Sequence, residues 1–195
     1  MKRAFAAAAF AAVSAVCASV SAQTVPPTAE FKCPAVGTVF TVRGFEGESQ
    51  MAATGQDGTV CLFKSTKAGQ TKDLRLHYGL IGSVDAAGES FTQGLDLKGL
   101  WPLKLGNKTV STVNGTGYDG KPYTATVTVT VAAYEKVTVP AGTFDAFRVE
   151  EMKAGDAGPR IRWWAPALAA SVKESFPDWR DRSKTMVFEL VAVTK

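Results

Sequence analysis

A single mainly β domain, either an antiparallel β-sandwich or an open, strongly curved barrel with little helix, is the fold this sequence predicts. Three observations predict it. Between Tyr123 and Glu150, Val127, Val129 and Val131 alternate with Thr126, Thr128 and Thr130 before the break at Val139-Pro140-Ala141-Gly142-Thr143-Phe144. A period of two with β-branched residues on both faces suits a pleated strand, where successive side chains point to opposite sides. Short alternating runs punctuated by glycine, proline, asparagine and aspartate recur along the rest of the chain. No segment holds an apolar stripe at helical spacing for three turns with caps at both ends.

The elements follow in order. Lys2 and Arg3, an Ala/Val/Phe run from Ala4 to Val20, and Val20-Ser21-Ala22 before Gln23 form a basic region, an apolar core and a small-residue cleavage site. Residues 1–22 are therefore expected to be an export signal cut after Ala22. No other run approaches the length of a membrane span, and Cys17 follows Val16, a poor context for a lipid anchor. Residues 23–30, with Pro26 and Pro27, read as an extended leader with little reason to pack, and residues 31–195 as one domain.

Residues 38–43 alternate, Gly55-Gln56-Asp57-Gly58 reads as a turn, and residues 59–64 alternate again, which predicts a hairpin. In residues 73–80, Leu74, Leu76 and Tyr78 share one parity, which favours strand over helix. Residues 94–105 carry Leu95, Leu97, Leu100, Trp101, Leu103 and Leu105, but Pro102 excludes a central strand. The segment reads as an edge or corner whose Trp101 plugs the core. Residues 107–119 look turn-rich, residues 123–150 form strand, turn and strand, and residues 160–165, 171–175 and 185–193 supply the last strands.

Loss of Lys2 and Arg3 with the signal lowers the formal charge from +4 to about +2, a balance that points away from a nucleic-acid partner. It also removes Cys17, leaving Cys33 and Cys61 as an even pair in an oxidising compartment. One disulfide closing a loop of about 29 residues is expected.

Few residues suggest chemistry. Gly115-Thr116-Gly117-Tyr118-Asp119-Gly120 matches a dinucleotide fingerprint in letters only, since Pro122 and a Thr/Val strand follow where a helix N-terminus is needed. His77 is the only histidine, too few for a multi-histidine metal site, and no G-x-S-x-G accompanies it. Asp145, Glu150 and Glu151 could serve as an acid and base pair. Asp145 lies in a turn, however, and Glu150 and Glu151 face opposite ways on a strand, so solvated charge is the simpler reading. Asn107-Lys-Thr and Asn114-Gly-Thr are acceptor sequons, expected to stay bare because the alanine-rich signal looks bacterial. No metal or cofactor is expected.

The candidate ligand site is the group Arg160, Arg162, Trp163, Trp164 and Lys173. Adjacent tryptophans on a strand point to opposite faces, so one enters the core while the other stands at a rim. A rim tryptophan beside arginines suits a sugar ring, an acyl chain or a partner protein. Packing of both rings under arginine stems is the simpler alternative.

Trp101-Pro102-Leu103-Lys104-Leu105-Gly106, the segment from Val137 through Val-Pro-Ala-Gly-Thr-Phe to Glu150, and the segment Trp163-Trp164-Ala165-Pro166 to Lys173 form a set. Together they resemble secreted bacterial β-proteins of the TapB-like type and related domains of unknown function, over about residues 94–193. The chain departs from that pattern where a glycine is usual, around Ala169 and Ala170. The resemblance implies an extracytoplasmic β-rich fold and no catalytic residues to carry over.

These readings converge on a non-enzymatic envelope protein that binds an apolar, glycan or protein partner on an aromatic-lined face. A carboxylate-dependent hydrolase on a β scaffold, or a structural subunit of the envelope, is the alternative.

Overall fold

In the computed structural model, residues 27–84, 94–116, 121–178 and 180–195 are described. The expected signal, and the last four positions of the glycine motif at 115–120, lie outside them. Eleven strands form one antiparallel sheet: β1 Val39–Gly44, β2 Gly47–Asp57, β3 Val60–Lys67, β4 Gln70–His77, β5 Ile81–Val84, β6 Lys108–Thr116, β7 Pro122–Val139, β8 Gly142–Lys153, β9 Arg160–Ala165, β10 Ala170–Pro177 and β11 Thr185–Thr194. Among the described residues the only helical element is a 3₁₀ turn, Lys98–Leu100, and no helix is long and apolar enough to cross a membrane.

The strand order is β5-β4-β3-β2-β1-β11-β10-β9-β8-β7-β6. Two meanders are thus joined where the first strand pairs with the last, Phe40 opposite Val193. The sheet is open, with β5 and β6 at its edges. Bulges in β1–β11, β2–β3, β7–β8 and β9–β10 increase local twist and curl the sheet.

The bulge between Val131 and Ala133 has a second effect. One extra residue exchanges the faces of everything beyond it. Val127, Val129 and Val131 therefore join one core cluster with Phe147, Val149, Leu97, Leu100, Leu103 and Trp164. Val137 and Val139, of the same parity in sequence, join another with Ala146, Phe40, Phe63, Val172 and Leu190. The tip of this hairpin reaches β11, where the Ala141 amide donates to the Leu190 carbonyl at 3.1 Å.

Several expectations need correction. Residues 38–43 and 59–64 do not pair with each other, because β2 lies between them and bonds to both. Its polar, alanine-rich sequence hides it, and Gly55 marks a bulge inside it rather than a turn. Of the expected turn-rich stretch 107–119, the described part is mostly strand, since β6 pairs with β7 from Lys108 to Thr116 and buries Val113 and Ser111; residues 117–119 lie outside the described residues. Asn114 and Gly115 suggested a turn, but the neighbouring valine-rich strand supplies a template that local propensity cannot show. Ala29 in the expected leader is buried and exchanges two backbone hydrogen bonds with Leu103. Val139 pairs with Gly142, so Pro140 and Ala141 are the central turn residues. Gly142 has a positive φ, +132°, and follows the central pair, one place later than the glycine of a type II turn.

Residues 94–105 do form a corner, in which Trp101 packs edge-on against Trp164 at 5.2 Å and Phe31 at 5.5 Å. Ala169 takes φ +52°, the left-handed conformation in which glycine is usual.

Cys33 and Cys61 are joined, with Cα atoms 5.4 Å apart, tying the segment before β1 to the buried start of β3. Replacing both with serine is expected to lower stability by about 3.5 kcal/mol through the freed loop. Urea denaturation of oxidised wild type and the double variant measures this. A loss below about 1 kcal/mol would mean that the bridge restrains the unfolded chain little.

Candidate functional site

Inward-facing residues of β1–β4 and β9–β11 enclose a cavity of about 340 Å³. Its walls are Phe40, Met51, Phe63, Leu74, Leu76 and Leu190. These positions share one face by register: Phe40 opposite Met51, Phe63 opposite Leu74, Val42 opposite Leu190. The volume falls at the lower end of the roughly 300–1,000 Å³ of small-molecule sites.

Strand directions give the cavity two unlike ends. Because directions alternate from β4 to β9, the C-terminal end of β4 and the β9–β10 turn lie together at one end of the sheet. That end is closed: Leu80 is 3% exposed, Ala169 4% and Trp164 0%. At the other end are Ser49, Phe188, Arg160, Arg162 and Glu174. There Arg162 Nη1 donates to Glu151 Oε2 at 2.6 Å, Arg162 Nη2 lies 3.5 Å from Glu174 Oε1, and Arg160 Nη1 lies 3.4 Å from the same oxygen. Arg160 also covers the Phe176 ring at 4.2 Å and is partly exposed.

Burial alone would lower the affinity of Arg162 for its proton. The Glu174 and Glu151 charges and the hydrogen bond that Arg162 donates to Glu151 outweigh it and raise its pKa above the usual guanidinium value. The result is a compensated row of two cations and two anions rather than a free charge. Arg160 borders a second recess too, lined by Phe45, Lys153, Phe176 and Asp178.

The five candidate residues separate. Arg160, Arg162 and Lys173 border the cavity; neither tryptophan does. Trp164 is buried in the core against Trp101. Half-buried Trp163, on the opposite face of β9, donates from Nε1 to Glu135 at 2.7 Å, and Lys173 Nζ lies 5.8 Å from its ring. Lys173 Nζ itself bonds Glu189 at 2.8 Å. The aromatic platform expected at Trp163 and Trp164 is therefore not the lining of the cavity. Phenylalanines and aliphatic residues of β1–β4 take that place, and the shared parity of Phe40 and Val42, and of Leu74 and Leu76, was their sequence signal.

The three candidate carboxylates sit on cations: Asp145 on Lys136 at 2.9 Å, Glu150 on Arg148 at 3.0 Å, Glu151 on Arg162. Glu151 is buried in its pair, contrary to the solvated reading. Sequence could not show that β9 would deliver an arginine to it. His77 is half-buried at the end of β4, where burial first and then Arg75 hold its imidazole below the usual range.

No family model matches the chain, and no curated protein does. Among solved structures, the hypothetical lipoprotein YmcC from Escherichia coli is similar over 81% of this chain and 85% of its own, at 12% identity and a TM-score of 0.50. An exported protein with a YmcC-like fold from Bacteroides fragilis aligns over 86% of this chain and 100% of its own, at 15% identity and a TM-score of 0.44. The first likeness is one of fold, an open β-rich architecture. The TapB-like name rests on the sequence motifs alone.

Proposed function

We propose that this chain is an exported, non-enzymatic binding protein of the bacterial envelope that holds an apolar ligand in the cavity of its curved sheet. The observation that carries the reading is the cavity: aliphatic and phenylalanine walls, one sealed end, and a charged row at the other. Such a space excludes water around an apolar chain or ring, and the burial contributes about 25 cal/mol per Å² of apolar area. The compensated arginines and glutamates keep the mouth hydrated without demanding a charged ligand. Export is the reading of the signal expected at residues 1–22, and the Escherichia coli protein of similar fold is described as a lipoprotein.

The environment-sensitive dye N-phenyl-1-naphthylamine tests the reading. Its fluorescence should rise on titration with the protein. Leu74→Trp, which fills the space from a half-buried wall position, should weaken binding at least tenfold while leaving the circular dichroism spectrum unchanged. No rise with wild type, or equal binding by a folded Leu74→Trp protein, would overturn the proposal.

A further inference from the structure

The second recess, of about 340 Å³, lies directly beyond the charged end of the apolar cavity. Register puts the two in line: Glu174 is opposite Phe188 and Phe176 opposite Met186, the first pair bordering the cavity and the second the recess. Residues two apart on a strand face the same way, about 7 Å from each other, so the two spaces are neighbours on one face of the sheet. Arg160 borders both. Aromatic rings make the floor continuous between them. The Phe188 ring lies so close over Gly44 that a β-carbon there would stand 2.4 Å from it. The same ring stacks on Phe176 at 5.8 Å and meets the exposed Phe45 edge-on at 5.9 Å.

Charge distinguishes the recess from the cavity. Its acids are Glu151, Asp156 and Asp178, and its cations Lys153, Arg160 and Arg182. Glu151 accepts from Arg162 at 2.6 Å, and Asp178 accepts from the Arg180 amide at 2.8 Å and its guanidinium at 3.2 Å, so two of the three acids are taken by arginines outside the lining. Asp156 stands 3.6 Å from Lys153, and Glu174 3.4 Å from Arg160, contacts longer than a good hydrogen bond that leave both cations with N–H groups to spare. With these four acids matched to four cations, Arg182 remains. Its side chain is exposed and makes no ion pair or hydrogen bond among the described residues.

We infer that the ligand is an anionic amphiphile, with its chain in the cavity and a carboxylate or phosphate head in the recess, where Arg160, Lys153 and Arg182 bind it. The inference rests on the apolar-cavity reading above and adds the head group. Charge-assisted bonds from guanidinium and ammonium groups suit either oxyanion. Because Arg182 and Phe45 are exposed, the head keeps part of its water, which limits the cost of desolvating a charge. A cationic head meets the surplus positive charge unfavourably; a hydroxyl leaves it unanswered.

Four amphiphiles with the same chain separate the possibilities: decanoate, decyl phosphate, decanol and decyltrimethylammonium, each competed below its micelle concentration against N-phenyl-1-naphthylamine. At low ionic strength at least one of the two anions should displace the dye about tenfold more effectively than decanol, and decyltrimethylammonium should be the weakest. Whichever anion gains more identifies the head. Added salt should shrink the advantage. Arg182→Gln, a change at an exposed side chain without partners, should reduce the anions' advantage about threefold while leaving displacement by decanol as it was. Lys108→Gln, the same change of charge at an exposed position on the edge strand β6, should leave the advantage intact. Displacement by decanol as effective as by both anions would overturn this inference and leave the apolar-cavity reading standing. So would an anion advantage that Arg182→Gln leaves unchanged, or one that Arg182→Gln and Lys108→Gln reduce equally. Failure of the dye itself to bind would overturn both.

Discussion

Arg162→Met is expected to destabilise the protein by about 3–5 kcal/mol, the cost of leaving a buried charge without its partner. The Arg162 and Glu151 side chains are only 5% and 7% exposed, with 2.6 Å between Nη1 and Oε2. Water cannot replace the guanidinium at that distance from solvent. Removing Arg162 also strips one cation from Glu174, which keeps Arg160 at 3.4 Å, so Glu151 bears most of the loss. The same physics predicts that Arg162→Met combined with Glu151→Met recovers most of the stability, since a buried ion pair and an apolar pair of similar volume are often nearly equivalent. The two residues are diagonal neighbours on β8 and β9, where Glu151 is opposite Arg160 and Val149 opposite Arg162, and their direct contact should make their effects strongly non-additive. Urea midpoints of the two single variants and the double variant measure the coupling. Additive losses would mean that the pair acts independently, and that the arginine contributes through packing of its stem.

How much of this was legible in the sequence depends on which forces set each element. Strands β7 to β11 could be read because their branched and aromatic residues alternate, and alternation reports burial directly. Strand β2 could not. Its residues Gly47–Asp57 are mostly polar or alanine, and it exists because β1 and β3 both offer unpaired backbone groups to it. Strand β6 was hidden for the same reason, its asparagine and glycine outvoted by nine paired positions along β7. The exchange of faces at Val131/Ala133 is a still longer-range fact: nothing local distinguishes Val131 from Val137, yet they serve different clusters. The site shows the same division. Arg160, Arg162 and Lys173 were identified as a group because they adjoin tryptophans, and they do border the cavity. The walls come from Phe40, Met51, Phe63, Leu74 and Leu190, far apart in sequence and brought together only when β1 pairs with β11.

Trp164→Ala should cost about 3–5 kcal/mol, comparable to the loss of the buried guanidinium, whereas Trp163→Ala should cost clearly less. Strand alternation on β9 sets the difference, since the two indoles leave the same backbone in opposite directions. Trp164 lies opposite Phe147 on β8 and edge-on to Trp101, with no exposed surface. Its truncation opens a void beside Trp101 and Phe147 in the first core cluster, where the sheet backbone limits collapse. Trp163 is half-buried, and its contacts are ones that water partly replaces: a hydrogen bond to Glu135 and Lys173 over its ring. Because Trp163 also packs against the second core cluster, its loss should lower the melting temperature measurably, by about 1–2 kcal/mol of stability, rather than leave it unchanged as a bare surface platform would. Thermal unfolding of the two variants beside wild type ranks them. Equal losses would contradict the burial difference, and a larger loss from Trp163 would place the structural weight of β9 on its other face.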